Sequence, residues 1–136
     1  MPIEVCAALI WRKEDKKLLI CQRPAHKSQG LLWEFPGGKR EANETPEACL
    51  ARECEEELGV TLQVHELLCE VTHAYQDFAV RIAFFDATVS AGTLQMREHN
   101  AIRWVSVAEL DDYPFCPADR QVLEQIKLRT PSTPFF

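Results

Sequence analysis

Residues 38–60 read GKREANETPEACLARECEEELGV. Thr45-Pro46-Glu47 carries the signals of a helix start: a hydroxyl to cap, a proline where no intrahelical N–H is needed, and an acid in the first turn. Gly59 is the expected stop, so the spacing predicts a helix running to Leu58. On it Glu53, Glu56 and Glu57 stand at i, i+3 and i+4 and cover about a quarter of the circumference. Ala51, Cys54 and Leu58 fall opposite them and are expected to enter the core. Like charges at this spacing each cost a helix about 0.2–0.5 kcal/mol, and acids near a C-terminus also oppose the helix dipole. Only Arg52 lies within the helix to offset them. A divalent cation would neutralise such a cluster, and all-oxygen ligands suit Mg²⁺ or Mn²⁺ rather than Zn²⁺. Pro36-Gly37-Gly38-Lys39, just upstream, is a backbone turn able to approach a metal or ligand closely.

The whole chain has 136 residues, 46% apolar and 26% charged, with a formal net charge of −6. That length and balance fit one globular domain, residues 1–136, and exclude wholesale disorder. Seven Glu and three basic residues lie between Gly38 and Val60, so most of the net acidity sits in that segment. No apolar run is long enough to span a membrane, and Met1-Pro2-Ile3-Glu4-Val5 lacks the basic start of a secretory signal. The acidity argues against a nucleic-acid polymer as partner. Cys6, Cys21, Cys49, Cys54, Cys69 and Cys116 are dispersed with no C-x-x-C pair, and read as reduced core thiols of a cytoplasmic protein. No Cys/His spacing suggests zinc, and the four histidines are scattered.

Strands are expected at 2–11 and 17–22, paired as a hairpin through a charged turn at 12–16. A loop at 23–30 leads to a short strand at 31–35. Further strands are expected at 62–72, 78–89 and 102–105. Ser106 caps a helical turn through Leu110, a helix spans 117–128 with Val122, Leu123 and Ile126 as its apolar stripe, and 129–136 reads as a tail ending in two Phe. The order is that of a mixed α/β (α+β) domain.

Gly38, Glu44, Arg52-Glu53-Cys54, Glu56-Glu57 and Gly59-Val60 stand at the spacing of the Nudix box, which residues 38–60 resemble. Cys54 is the one soft departure, where a larger aliphatic residue is usual. Trp33-Glu34-Phe35-Pro36-Gly37-Gly38-Lys39, Glu98, and Tyr113-Pro114-Phe115-Cys116-Pro117-Ala118-Asp119 extend the likeness to MutT-like nucleoside triphosphate pyrophosphohydrolases over nearly the whole chain. The resemblance implies the Nudix fold: a mixed β-sheet sandwiched between helices, with the box as loop–helix–loop. It also implies Mg²⁺-dependent hydrolysis of a nucleoside triphosphate to the monophosphate and pyrophosphate, a nucleotide-pool sanitation activity linked to DNA repair.

In that frame Glu56, Glu57 and the Gly37 carbonyl are metal ligands. Glu53 is the first candidate for general base or further ligand, and Glu98 the second. Arg52 orients the carboxylates and Glu44 stabilises the box. Arg23 and Lys39 are candidates for phosphate contact, with Glu34 and Gly38 beside them on the substrate side, and Trp33 and Phe35 are candidates for the base pocket, with core residues as the plain alternative. Asp119 stands where members specific for oxidised guanine carry Asn. An ionised Asp only accepts hydrogen bonds and favours an exocyclic amine, whereas a protonated one mimics Asn. The substrate therefore forks between 8-oxo-dGTP and cytidine-type triphosphates. The Trp33-Glu34-Phe35 run and the Glu98-His99 pair also suit the cytidine branch. A non-catalytic nucleotide-binding domain is the alternative of another class, and a hydrolase of other diphosphates a further one. The expected state is a monomer or weak dimer.

Overall fold

The structure is a computed structural model and describes residues 1–128. The two Phe at the end of the sequence lie outside the described residues. Its centre is β1 (Ile3–Arg12), an apolar strand that pairs with three others along its inner length. It runs antiparallel to β4 (Gly37–Lys39) over Val5 to Ala7 and parallel to β6 (Ala79–Ala91) over Ile3 to Ile10. Its far end turns through a hairpin into β2 (Lys17–Gln22), with Arg12 opposite Lys17 and the turn tied by an Arg12–Asp15 ion pair of 2.6 Å. β3 (Trp33–Glu34) and β7 (Ala101–Val105) flank β2, and β5 (Thr61–Ala74) pairs with β6 as a long, bulged hairpin.

Strand alternation sends side chains of β1 to two separate cores. Ala7, Leu9 and Trp11 face one side with Ile82, Phe84, Leu110, Val122, Leu123 and Ile126. Cys6, Ala8 and Ile10 face the other with Leu50, Cys54, Leu58, Phe85 and Ala87. Helix α1 (Pro46–Leu58) covers this second face; α2 (Pro117–Arg120), α3 (Leu123–Lys127) and a 3₁₀ turn (Val107–Asp112) cover the first. This is the expected mixed sheet between helices. All six cysteines are free, and Cys6, Cys21, Cys49 and Cys54 belong to the α1-side core. Cys54 is fully buried, so the departure from the box pattern leaves the helix seated.

Four local expectations need correction. The Gly37-Gly38-Lys39 segment is a strand, not only a turn, because it adds to the edge that β1 leaves open at Val5 to Ala7. The strand expected at 31–35 shrinks to Trp33–Glu34, since Leu31 adopts a left-handed φ of 67° that ends extended pairing. Ala51 is exposed rather than buried, because the stripe that meets the sheet is Leu50, Cys54, Glu57 and Leu58, at i, i+4, i+7 and i+8. The last helix is broken into α2 and α3: at Gln121 and Val122 the N–H groups bond three residues back, to Ala118 and Asp119, at 3.3 and 3.1 Å.

The start of α1 is as expected. Thr45 Oγ1 accepts from the Ala48 N–H at 3.1 Å, and Pro46 occupies the first turn. Thr45→Ala should lower stability by about 1 kcal/mol, read as a lower urea midpoint with an unchanged slope.

Candidate active site

Three devices bring the carboxylates together. The first is Arg52. Its Nε and Nη2 fork onto Glu44 at 2.8 and 2.9 Å, its Nη1 reaches Glu53 Oε1 at 2.7 Å, and Nη2 also donates to the Lys39 carbonyl at 3.1 Å. One guanidinium thus ties the loop before α1, the helix and β4 together. It holds the Glu44 carboxyl down to about 2, helped by the Glu41 N–H.

The second device is Gly38. The Glu53 carboxylate lies against its Cα, so a Cβ there would overlap Glu53 Cδ and both oxygens. At Gly37 a Cβ would run into the Cys6 carbonyl and Ala7 Cα of β1. Both glycines are therefore required by close approach.

The third device is the loop before β7. Gly59 ends α1 in a left-handed conformation with φ 70°, and no basic residue sits in the last turn. The loop supplies the missing donors instead. Gln95 N–H reaches Leu58 O at 2.8 Å, Arg97 N–H reaches Glu57 O at 3.3 Å, and Arg97 Nη1 reaches Glu55 O at 2.9 Å. This clamp carries Glu98 and His99 to the acidic helix.

The result is a cleft of about 170 Å³ lined by Glu34, Gly37, Glu53, Glu57 and Glu98, with Arg23, Pro24, Lys27 and His99 around them. Glu57 is buried because it lies in the same stripe as Leu50 and Cys54. Burial, with Glu53 and then Glu34 and Glu98 nearby, pushes its carboxyl well above the usual carboxylate range. Such a group is under pressure to take a proton or a cation. Oxygen donors of Glu53, Glu57, Glu98 and the Gly37 carbonyl around one cleft fit a hard divalent ion. Among the described residues no three Asp, Glu, His or Cys side chains yet form a metal-holding group. Glu53 is held by Arg52 at 2.7 Å and Glu57 lies 3.5 Å from His99, both still lining the cleft. Glu56 is exposed and does not line the cleft.

A second cavity of about 370 Å³ adjoins the first and shares Arg23 and Glu34 with it. Ile3, Val5, Val80 and Ile82 form its apolar wall, and Lys39 and Asp119 add polar groups. Tyr75 and Phe78 also line it; their rings stack at 5.0 Å between centroids with 25° between planes. Asp119 is buried and accepts from the Phe35 N–H at 3.1 Å. Burial, with Glu34 adding to it, pushes its carboxyl up to about 8.

Trp33 and Phe35 do not line either cavity. Trp33 packs edge-on to Tyr113, and Phe35 stacks on Phe115 and meets Phe84 edge-on. Alternation along this segment gives the core its rings and the cavities Glu34. Sequence reading passed over Tyr75, Phe78 and the walls contributed by β1 and β6, which only strand pairing brings together. It also left His99 without a role of its own.

Asp119 makes a stability prediction with a defined sign. Its folded carboxyl titrates near 8 against an ordinary 3.8, so the folded state holds its proton more tightly. Its favourable contribution is complete below about pH 4 and is lost as pH rises toward 8. Asp119→Asn should therefore match wild type in thermal midpoint near pH 4 and exceed it increasingly up to pH 8.

Residues 6–125 match the family described as NUDIX domain. Over 122 residues the chain is 41% identical to a CTP pyrophosphohydrolase of Escherichia coli K12, covering 90% of this chain and 89% of that protein. It is 30% identical over 125 residues to the 8-oxo-dGTP diphosphatase of the same organism, covering 92% and 96%. The solution structure of the E. coli ORF135 protein superposes with a TM-score of 0.81 at 38% identity, covering 97% of this chain and 93% of that one. With Glu53 and Glu57 of the box at one cleft and the match spanning nearly all of the sheet, the chain belongs to the Nudix family.

Proposed function

We propose that this protein hydrolyses nucleoside triphosphates to the monophosphate and pyrophosphate, with Mg²⁺ as cofactor and Mn²⁺ as a substitute. The observation that carries this reading is the adjacency of two cavities, one lined by carboxylates and one by apolar and aromatic side chains, with Arg23 and Glu34 common to both. A triphosphate chain belongs in the first and a base in the second. Relatives named for both CTP and 8-oxo-dGTP hydrolysis support the substrate class.

The Gly37 carbonyl, Glu53, Glu57 and Glu98 would hold the metal, with exposed Glu56 beside them on α1. A bound divalent cation supplies charge neutralisation at the phosphate oxygens. Glu53, steadied by Arg52, is the base that accepts the proton of the attacking water, and Glu98 is the second candidate. Lys39 and Arg23 line the base cavity, and Arg23 the cleft as well, so both would be within reach of phosphate oxygens.

At the base, Asp119 decides between substrates. Burial favours its neutral form near pH 7. One oxygen takes the Phe35 N–H, and the protonated carboxyl then offers a donor, as Asn would. This favours an oxidised purine, with 8-oxo-dGTP as the substrate. The 41% identity to a CTP pyrophosphohydrolase is the observation behind the second reading, a cytidine-type triphosphate. Six free thiols support a reducing compartment, and the cytoplasm is the proposed location.

Pyrophosphate release with Mg²⁺, measured as kcat/KM for 8-oxo-dGTP, dGTP, dCTP and 5-methyl-dCTP, tests the proposal. The expected order places 8-oxo-dGTP first. A cytidine nucleotide in first place selects the second reading, and no release from any of them means a binding module. Asp119→Asn should change the purine-to-cytidine ratio.

Glu53→Gln and Glu57→Gln should each lose most turnover, by about 100-fold or more, while remaining folded by circular dichroism. Near-wild-type rates for both at saturating Mg²⁺ would remove these residues from the mechanism. Gly38→Ala should likewise lose at least about tenfold in kcat, because the added methyl displaces the Glu53 carboxylate.

A further inference from the structure

His99 lines the carboxylate cleft against Glu34, which both cavities share, yet neither the box nor the base pocket explains it. Its side chain is 4% exposed. Its Nε2 lies 3.2 Å from Glu34 Oε2 and 3.5 Å from Glu57 Oε1. Its Nδ1 is buried without a hydrogen-bond partner. Glu34 is held from the other side by Arg23, whose Nη1 donates to Oε1 at 2.9 Å. A continuous row therefore runs Arg23, Glu34, His99, Glu57, from the base cavity to the acidic helix.

The backbone of His99 is fixed on both sides. Upstream, Gln95 and Arg97 donate to the last carbonyls of α1. Downstream, Asn100 N–H reaches the Gln22 carbonyl at 2.9 Å, and its side chain reaches Gln22 Oε1 at 2.6 Å. The imidazole is thus positioned by α1 and β2 together, not by its own contacts.

Arg23 holds Glu34 as a carboxylate through Oε1, and the Oε2 that faces the ring can only accept, so Nε2 carries the hydrogen it shares with Glu34. With Nδ1 left unpaired in a buried site, an apolar side chain would satisfy the fold better than an imidazole. The ring nitrogen Nε2 meets the carboxylates of Glu34 and Glu57. The residue is therefore kept for what it does to them.

We propose that His99 is a positioning residue: its Nε2–H holds Glu34, and its ring, 3.5 Å from Glu57, keeps that carboxylate in fixed relation to Glu34 at the cleft where the metal would bind. This rests on the function proposed above and deepens it. Glu34 then has a double task, facing the base cavity with Arg23 and fixing the ring that sets Glu57. Partners of metal-ligating carboxylates that act in this way change metal affinity and turnover without touching substrate.

Three variants test it: His99→Leu, which removes the donor; His99→Asn, which keeps polarity but is too short to reach the Nε2 position; and His99→Gln, which places an amide N–H near it. Steady-state kinetics use the triphosphate that wild type hydrolyses best. Mn²⁺ binding without nucleotide is measured separately by electron paramagnetic resonance. The Leu and Asn variants are expected to lose at least about tenfold in kcat with KM within about twofold, and to bind Mn²⁺ several-fold more weakly. The Gln variant is expected to recover most of both losses. The proposal is overturned if Leu and Asn variants stay within about twofold of wild type in kcat and Mn²⁺ affinity, or if Gln is as impaired as Asn. Should the Leu variant fail to fold, the Asn–Gln contrast decides. If wild type hydrolyses none of the triphosphates, the functional reading fails by itself, and the Mn²⁺ affinities of the Asn and Gln variants still decide the role of His99.

Discussion

Seven glutamates within one loop and one helix would repel the segment apart if each stood alone. A single guanidinium relieves part of that repulsion by gathering three of them. Arg52 makes two bonds to Glu44, one to Glu53 and one to the Lys39 carbonyl, with Glu41 at 3.6 Å. A lysine could not do this: it has a compact charge and no fork to satisfy Glu44 while reaching two further acceptors. The arrangement draws the outer carboxylates away from the cleft and leaves the inner ones, Glu53 and Glu57, on the side facing β4. Every other feature of the site builds on that sorting. Glu53 can lie against Gly38 only because Arg52 anchors its other side.

The sheet supplies the other half of the constraint. β1 pairs with β4, β6 and β2 at once, so Gly37 and Gly38 are fixed to the most buried strand of the protein. The floor of the carboxylate cleft is therefore as rigid as the core beneath it. The same strand sends Ile3 and Val5 into the base cavity. Both cavities thus share one foundation, and a shift at either would have to move the central strand. The clamp of Gln95 and Arg97 on the end of α1 completes the enclosure from the opposite side, supplying donors to the Leu58 and Glu57 carbonyls and a second donor to that of Glu55.

The helix was legible from residues alone because its signals are local: Thr45 caps, Pro46 starts, Gly59 stops, and the Glu spacing follows from helical geometry. The layered sheet was legible for a similar reason, since apolar runs at β1, β2 and β6 announce themselves. The base cavity was not. Its walls come from β1 and β6, paired across almost eighty residues, and from the turn between β5 and β6. Trp33 and Phe35 misled for a physical reason: aromatic side chains serve cores and nucleotide pockets equally well, and only the strand's orientation shows that Glu34 faces the cleft. Ala51 misled because small residues tolerate either side of a helix, while the bulk of Leu50 set the rotation. His99 could not be read at all, because its meaning lies in Glu34 and Glu57, each more than forty residues away.

The acidity of the chain now divides by mechanism rather than by position. The outer carboxylates are ionised and held by Arg52, as the depressed Glu44 shows. The inner ones, Glu57 and Asp119, are buried where ionisation is opposed. A surface of ionised acids would repel a triphosphate. Here Glu44 is tied to Arg52, and the buried carboxyls favour a proton or a cation, so the cleft presents less negative charge to an approaching phosphate chain than the composition suggests. The net charge of −6 conceals two populations. One lies outside the cleft, with Glu41 and Glu44 tied to Arg52; the other is held in readiness for what binds there.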